Sequence, residues 1–164
     1  MRATTREIAA HLAMLWETPR IIVTVAEQAS EAQARHRPSP GAWSLFEQLA
    51  HLRACAEIWG DDIERMLAQD EPKYAKPHPR RVMQSDRLVE PAFVASARVF
   101  ADLGARLLAL LKPLAQEQWE RGAIIDRRHY TVYTQTRRMA MHEAAHAGQI
   151  RAIWQAAAEC EPAG

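Results

Sequence analysis

Apolar residues recur along this chain at intervals of three and four, the period of helices buried on one side, in four long stretches; nothing convincing alternates as a strand does. The first stretch places Ile8, Leu12, Leu15, Ile22, Val23 and Ala26 on one face. It opens at Thr4 with Glu7 three residues on, the spacing at which two side chains cap each other's backbone, and Pro19 inside it predicts a kink. The second begins at Ser44, with Glu47 at the same capping distance, and runs its stripe through Leu45, Leu49, Leu52, Ala56, Trp59, Ile63 and Leu67. A third, from near Pro91, carries Phe93, Ala97, Phe100, Leu107 and Leu111 before Pro113 interferes. The fourth spans about Thr134 to Glu159.

The links set the topology. Arg37-Pro38-Ser39-Pro40-Gly41-Ala42 cannot continue a helix, and the proline-rich segment from Asp70 to Glu90 is the one long connection, a loop or crossover. A short turn is expected around Gln116 to Trp119. In the irregular link Arg121 to Tyr133, Ile124-Ile125 and Tyr130-Thr131-Val132-Tyr133 have the composition for a brief hairpin. No internal repeat is found. The expectation is an all-α fold, a four-helix bundle with one long crossover connection, forming a single domain over residues 1–164.

Composition narrows the classes. The 164 residues suffice for one core without disulfides, and 48% hydrophobic with 25% charged residues is ordinary for a soluble protein. A formal net charge of +1, with basic pairs only at Arg80-Arg81, Arg127-Arg128 and Arg137-Arg138, gives no phosphate track, so nucleic acid is not an expected partner. No run reaches the apolar length of a membrane span and the N-terminus lacks a signal-peptide core, so no membrane partner is expected. Cys55 and Cys160 match no redox or metal spacing. A cytoplasmic location follows as the expectation.

Candidate chemistry concentrates in His142-Glu143-Ala144-Ala145-His146 and in His51 of the second helix. Histidines four apart lie one turn apart on one face, close enough for both imidazoles to share a divalent ion. At about 100° per residue, His142 and His146 point with Met139, Gln149, Ile150 and Ile153 toward the inside. His51 flanks the apolar arc near Gln48, Cys55, Ile58 and Asp62. Any one of them alone reads as a core histidine satisfied by a hydrogen bond; together they read as one divalent metal with an open position. His11, His36, His78 and His129 read as surface or hydrogen-bonding residues, and Cys55 as packing. Glu143 is a candidate base, a partner to a ligand histidine, or an ordinary solvent-facing glutamate.

The match to His-Glu-x-x-His raises a zinc metallopeptidase, but few residues follow His146 to supply its downstream ligand, and no peptide-holding edge strand is expected. A di-metal site of the ferritin kind needs two Glu-x-x-His pairs, and only Glu143 to His146 has that spacing.

Three segments together, Arg37-Pro38-Ser39-Pro40-Gly41-Ala42-Trp43-Ser44 leading into Glu47-Gln48-Leu49-Ala50-His51-Leu52, then His142 to His146, then Gly148-Gln149-Ile150, resemble the DinB/YfiT-like superfamily of metal-binding four-helix bundles over most of the chain. The resemblance implies that His51, His142 and His146 hold one metal, zinc or nickel. It implies chemistry more loosely: thiol-dependent transferases using a low-molecular-weight thiol cosubstrate (mycothiol, bacillithiol or glutathione), or metal-dependent hydrolases. Arg127, Arg128 and His129 are candidates to bind the carboxylates of a small-molecule substrate or thiol. The leading expectation is a metal-dependent transferase or hydrolase; the rival is a non-catalytic, stress-associated metal-binding dimer. Trp16, Trp59 and Trp154 suggest a homodimer, as related bundles form.

Overall fold

The computed structural model describes residues 3–85 and 92–159. Pro91 and Cys160 lie outside the described residues. Four long helices, α1 (Thr5–Gln28), α3 (Leu45–Ala68), α5 (Phe93–Leu111) and α6 (Val132–Glu159), form the bundle, joined by the short α2 (Glu31–Arg35) and α4 (Pro79–Ser85). α1 packs on α5 and α6, and α3 packs on the same two, so α1 and α3 are diagonal. The core between them is filled by side chains such as Leu15, Ile22, Leu49, Leu52, Phe93, Phe100, Leu111 and Met139.

Helix starts follow the capping chemistry. Thr4 N–H donates to Glu7 Oε2 at 2.8 Å while Glu7 N–H donates to Thr4 Oγ1 at 3.2 Å. Ser44 and Glu47 repeat the exchange at 3.0 and 3.2 Å, and Arg37 pairs with the same Glu47 carboxylate. The same device at Ser30 and Gln33 starts α2, an element not anticipated from the pattern because it is too short to show a period. From α2, Glu31 Oε1 accepts from Phe93 N–H at 3.0 Å, placing a carboxylate on the positive end of α5. α1 runs through Pro19 as one continuous helix. It also has the length and mean hydropathy of a membrane span, contrary to the reading above; here its apolar face is buried by α5 and α6.

The links add one difference and one agreement. The long connection is not plain loop: it contains β1 (Lys73–Tyr74) and α4. The Arg121–Tyr133 link does form a hairpin, β2 (Gly122–Ile125) with β3 (Arg128–Thr131), preceded by a 3₁₀ turn at Gln116–Glu120. β1 joins β2 in parallel, with Lys73 opposite Ile124 and Tyr74 opposite Ile125, and β2 pairs antiparallel with β3. β1, two residues long, carries too little alternation to announce itself. Arg121 fastens the sheet to the bundle: its guanidinium donates to the carbonyls of Met66 and Gln69, both at 2.8 Å, and to Asp70 at 2.9 Å, satisfying the C-terminal end of α3. Gly122 is required by close approach, since a Cβ there would stand 2.6 Å from the Tyr130 carbonyl oxygen.

The hairpin turns on Asp126 and Arg127, with φ of 48° and 66°. Two-residue hairpin loops with both φ positive favour Asn-Gly or Asp-Gly, and an arginine in the left-handed region is strained. Arg127→Gly should therefore raise stability, by about 1 kcal/mol after the entropy glycine adds to the unfolded chain. Urea unfolding of the two proteins measures it; an unchanged or lowered midpoint would show that the turn carries no such strain.

Candidate metal centre

α3 and α6 face each other across one corner of the bundle, and His51 from the first meets His142 and His146 from the second. One ring nitrogen from each of the three lies within 4.8 Å of the others. The ring centroids are 5.1 Å apart for His51 with either partner and 4.5 Å for His142 with His146. His51 Nε2 and His142 Nε2 are 3.2 Å apart. Without an ion, that contact needs one ring to donate its N–H to the other; with one, it becomes two lone pairs directed at a common point.

Protonation suits ligands. Burial, with the charges of His146, Arg80 and His78, pushes His51 down to about 4. Burial, then His146, His51 and Arg138, does the same to His142, also to about 4. Burial also lowers His146. All three are neutral at physiological pH, the form that binds metal. His146 Nδ1 is hydrogen-bonded to the buried Gln48 Oε1; because an amide oxygen only accepts, Nδ1 carries the proton and Nε2 keeps its lone pair. A carbonyl behind the ring is what a ligand histidine requires. His142 Nδ1 is buried without a hydrogen-bond partner, and its ring stands edge-on to Trp59 at 4.9 Å. The donor set fits a divalent metal ion.

Cys55 Sγ lies 3.6 Å from His51 Nε2, but burial pushes its thiol up to about 12, so it remains protonated and packs in the core. Among the described residues no other Asp, Glu, His or Cys completes a fourth ligand with the trio.

Around the trio are groups the sequence reading did not assign. Trp43 sits 5.1 Å from His51, with the Arg80 guanidinium 5.4 Å over its indole. The Arg138 guanidinium is 4.4 Å over Trp59, and Lys76 Nζ lies 6.0 Å from the same ring. Lys76 is tethered to buried Asp62 at 2.7 Å, where Tyr74 Oη at 2.8 Å and Gln135 Nε2 at 3.2 Å also donate. Arg138 was legible as one turn before His142. Arg80, His78 and Lys76 were not, because their position depends on how the crossover folds back. Trp59, only 4% exposed, walls the site and is not available for a dimer face; Trp16 is 53% exposed and Trp154 half-buried.

Arg127, Arg128 and His129 are exposed on the β2–β3 turn and strand β3. Gln149, expected on the inner face, is exposed. Glu143 is buried at 3% exposure, which corrects the solvent-facing alternative. Its carboxyl lines a cavity that includes none of the three histidines, and burial pushes its pKa up to about 8.

The chain belongs to the DinB superfamily, whose family model matches residues 4–150. A search of curated proteins finds no match. Among solved structures, YfiT from Bacillus subtilis, described as a probable metal-dependent hydrolase with an unusual four-helix bundle topology, is similar with a TM-score of 0.74 and 17% identity, over 90% of this chain and 87% of that one. The DinB-like protein YjoA from Bacillus subtilis is similar with a TM-score of 0.65 and 16% identity, over 94% and 96%. The fold is thus the four-helix bundle the resemblance implied.

These titrations give metal-free protein a stability maximum. The unfolded imidazoles titrate at 6.5 and the folded His51 and His142 at about 4, so the unfolded chain holds more protons in that window and stability falls as pH drops through it. Glu143 acts oppositely: ordinarily 4.5, it is about 8 when folded, so stability falls as pH rises through that range. Below 6.5 the histidines outnumber the carboxyl; above it the carboxyl acts alone. Urea midpoints measured in chelator should peak near pH 6.5, and Glu143→Gln should abolish the decline toward pH 8. A wild-type midpoint that is flat from pH 6.5 to 8 contradicts the burial of an ionisable Glu143.

Proposed function

We propose that this protein is a mononuclear metal-dependent enzyme acting on a small anionic molecule, with His51, His142 and His146 holding one zinc or nickel ion. The observation that carries the reading is the convergence of three neutral imidazoles from two helices, one of them backed by Gln48. When bound, the ion supplies Lewis acidity toward a water or thiol nucleophile and toward the electrophile. The chain supplies the rest. Trp43 and Trp59 wall His51 and His142 with apolar surface, which strengthens electrostatic interactions at the site. Arg80 and Arg138 lie over those indoles and offer cations to a carboxylate or phosphate on the substrate.

Water as nucleophile makes the enzyme a hydrolase, the activity ascribed to YfiT. A low-molecular-weight thiol makes it a transferase, and the basic groups suit the carboxylates such thiols bear. The rival reading, a non-catalytic metal-binding dimer, is better served by a site closed with a fourth protein ligand. That no other Asp, Glu, His or Cys among the described residues gathers with the trio speaks for an open site.

Metal analysis tests the core of the proposal. Purified protein should carry about one divalent ion per chain, and the double variant His142→Ala, His146→Ala should carry almost none; full occupancy in that variant refutes the assignment. Gln48→Ala should weaken metal affinity by about ten- to hundredfold through loss of the carbonyl behind His146. Cobalt-substituted protein then separates the readings. Absorption changes on adding glutathione mark a thiol enzyme, and changes with simple anions alone favour hydrolysis. A spectrum blind to both, with a thiolate band lost in Cys55→Ala, establishes the closed rival.

A further inference from the structure

Arg80 and Arg138 stand at opposite ends of the histidine trio. Trp43 precedes His51 by eight residues and Trp59 follows it by eight, which places their backbones about 12 Å to either side of His51 along α3. Both indoles lean back onto the trio, the Trp43 ring 5.1 Å from His51 and the Trp59 ring 4.9 Å from His142. α6 runs antiparallel to α3, since Gln48 meets His146, His51 meets His142 and Asp62 meets Gln135. Arg138, one turn before His142, therefore belongs to the Trp59 end, its guanidinium 4.4 Å over that indole. Arg80 comes from α4 and lies 5.4 Å over Trp43, at the other end. Each cation also acts on a different ring of the trio, Arg80 on His51 and Arg138 on His142.

Neither cation has an acid of its own. Arg37, Lys76 and Arg121 pair with Glu47, Asp62 and Asp70, but among the described residues no carboxylate pairs with Arg80 or Arg138. An indole face holds a guanidinium in place without consuming the N–H donors that grip a carboxylate or phosphate in pairs. Both arginines are exposed, so an anion arriving from solvent reaches them. A substrate with one anionic group would engage one end and leave the other cation without a partner. Two uncompensated cations at the ends of the row Trp43, His51, His142, Trp59 are complementary to a molecule charged at both ends.

We propose that the substrate is a dianion with its two anionic groups, carboxylate or phosphate, at opposite ends, one held by Arg80 and the other by Arg138. The bond that reacts then lies between them, at the trio. This rests on the function proposed above for the chemistry at the trio, whereas the binding of the two ends rests on the arginines alone.

Calorimetric titration of the metal-loaded protein with linear alkane dicarboxylates, from succinate to dodecanedioate, tests it against the ω-hydroxy monoacid of each length. Succinate, too short to reach both cations, should gain nothing over its monoacid. A longer diacid should bind once per chain and about tenfold or more tighter than its monoacid, the worth of one further charge-assisted pair. Arg80→Ala and Arg138→Ala should each remove that advantage, and Arg137→Ala, which takes a neighbouring cation from α6, should leave it intact. The advantage should also survive removal of the metal by chelator. No diacid better than its monoacid, or an advantage that persists in either Arg80→Ala or Arg138→Ala, overturns the proposal. So does an advantage lost on chelation, which would put one carboxylate on the metal. Metal content of the same samples keeps the two readings apart: a diacid advantage in protein that takes up no metal refutes the metal enzyme and supports the arginine pair, and metal-loaded protein without the advantage refutes the pair alone.

Discussion

Three imidazoles must share one corner of the bundle without charge, and most of the local structure serves that constraint. A protonated ring among two others would be repelled by them and would lack water to disperse its charge. Burial, helped by neighbouring positive charges, moves His51 and His142 far enough down to remove the problem at neutral pH. What burial cannot do is orient the rings. Gln48 does so for His146, because a single carbonyl selects the tautomer, and Trp43 and Trp59 do so for His51 and His142 by occupying the space into which those rings would turn. The register of α3 against α6 follows from this seam, and the Ser44–Glu47 capping exchange sets where α3 begins, one turn before Gln48.

The long crossover gains a role from the same seam. Lys76 and Asp62 form a nearly buried ion pair, which by itself is weak support for stability because desolvation offsets attraction. Here Tyr74 and Gln135 also donate to Asp62, so the carboxylate is satisfied by three groups from the crossover and α6. The network, together with the Tyr74–Ile125 register, ties the start of the crossover to the bundle. The segment that follows it brings Arg80 over Trp43. A stretch that reads as featureless loop thus delivers the cations that neighbour the metal ligands.

That contrast explains what was legible. Helical stripes, the capping pairs at Thr4 and Ser44, and the spacing of His142 and His146 are local properties, and each was visible in the order of residues. His51 was legible only in combination, as a polar residue beside an apolar arc. α2, β1 and α4 were not visible because five-, two- and seven-residue elements carry no measurable period. Arg80 and Lys76 could not be assigned because their proximity to the trio is created by β1 pairing with a strand from the far end of the chain. α1 departs from the sequence reading in another way: Thr5–Gln28 does reach the length and hydropathy of a membrane span, and its apolar stripe is the face packed against α5 and α6.

Glu143 marks where reading by motif and reading by geometry part. In His-Glu-x-x-His the glutamate is expected to serve the metal, but it follows His142 directly and so points about 100° away around the helix. On a helix with one buried stripe that direction is solvent. α6 packs against both α1 and α3, so two of its faces are inside, and the histidines and Glu143 occupy different ones. The same packing that makes His142 a ligand therefore buries its neighbour against a cavity that none of the three histidines lines. A motif spacing shared with peptidases does not imply their mechanism here, because the second buried face of α6 carries the glutamate away from the ligands its spacing would otherwise assign it to serve.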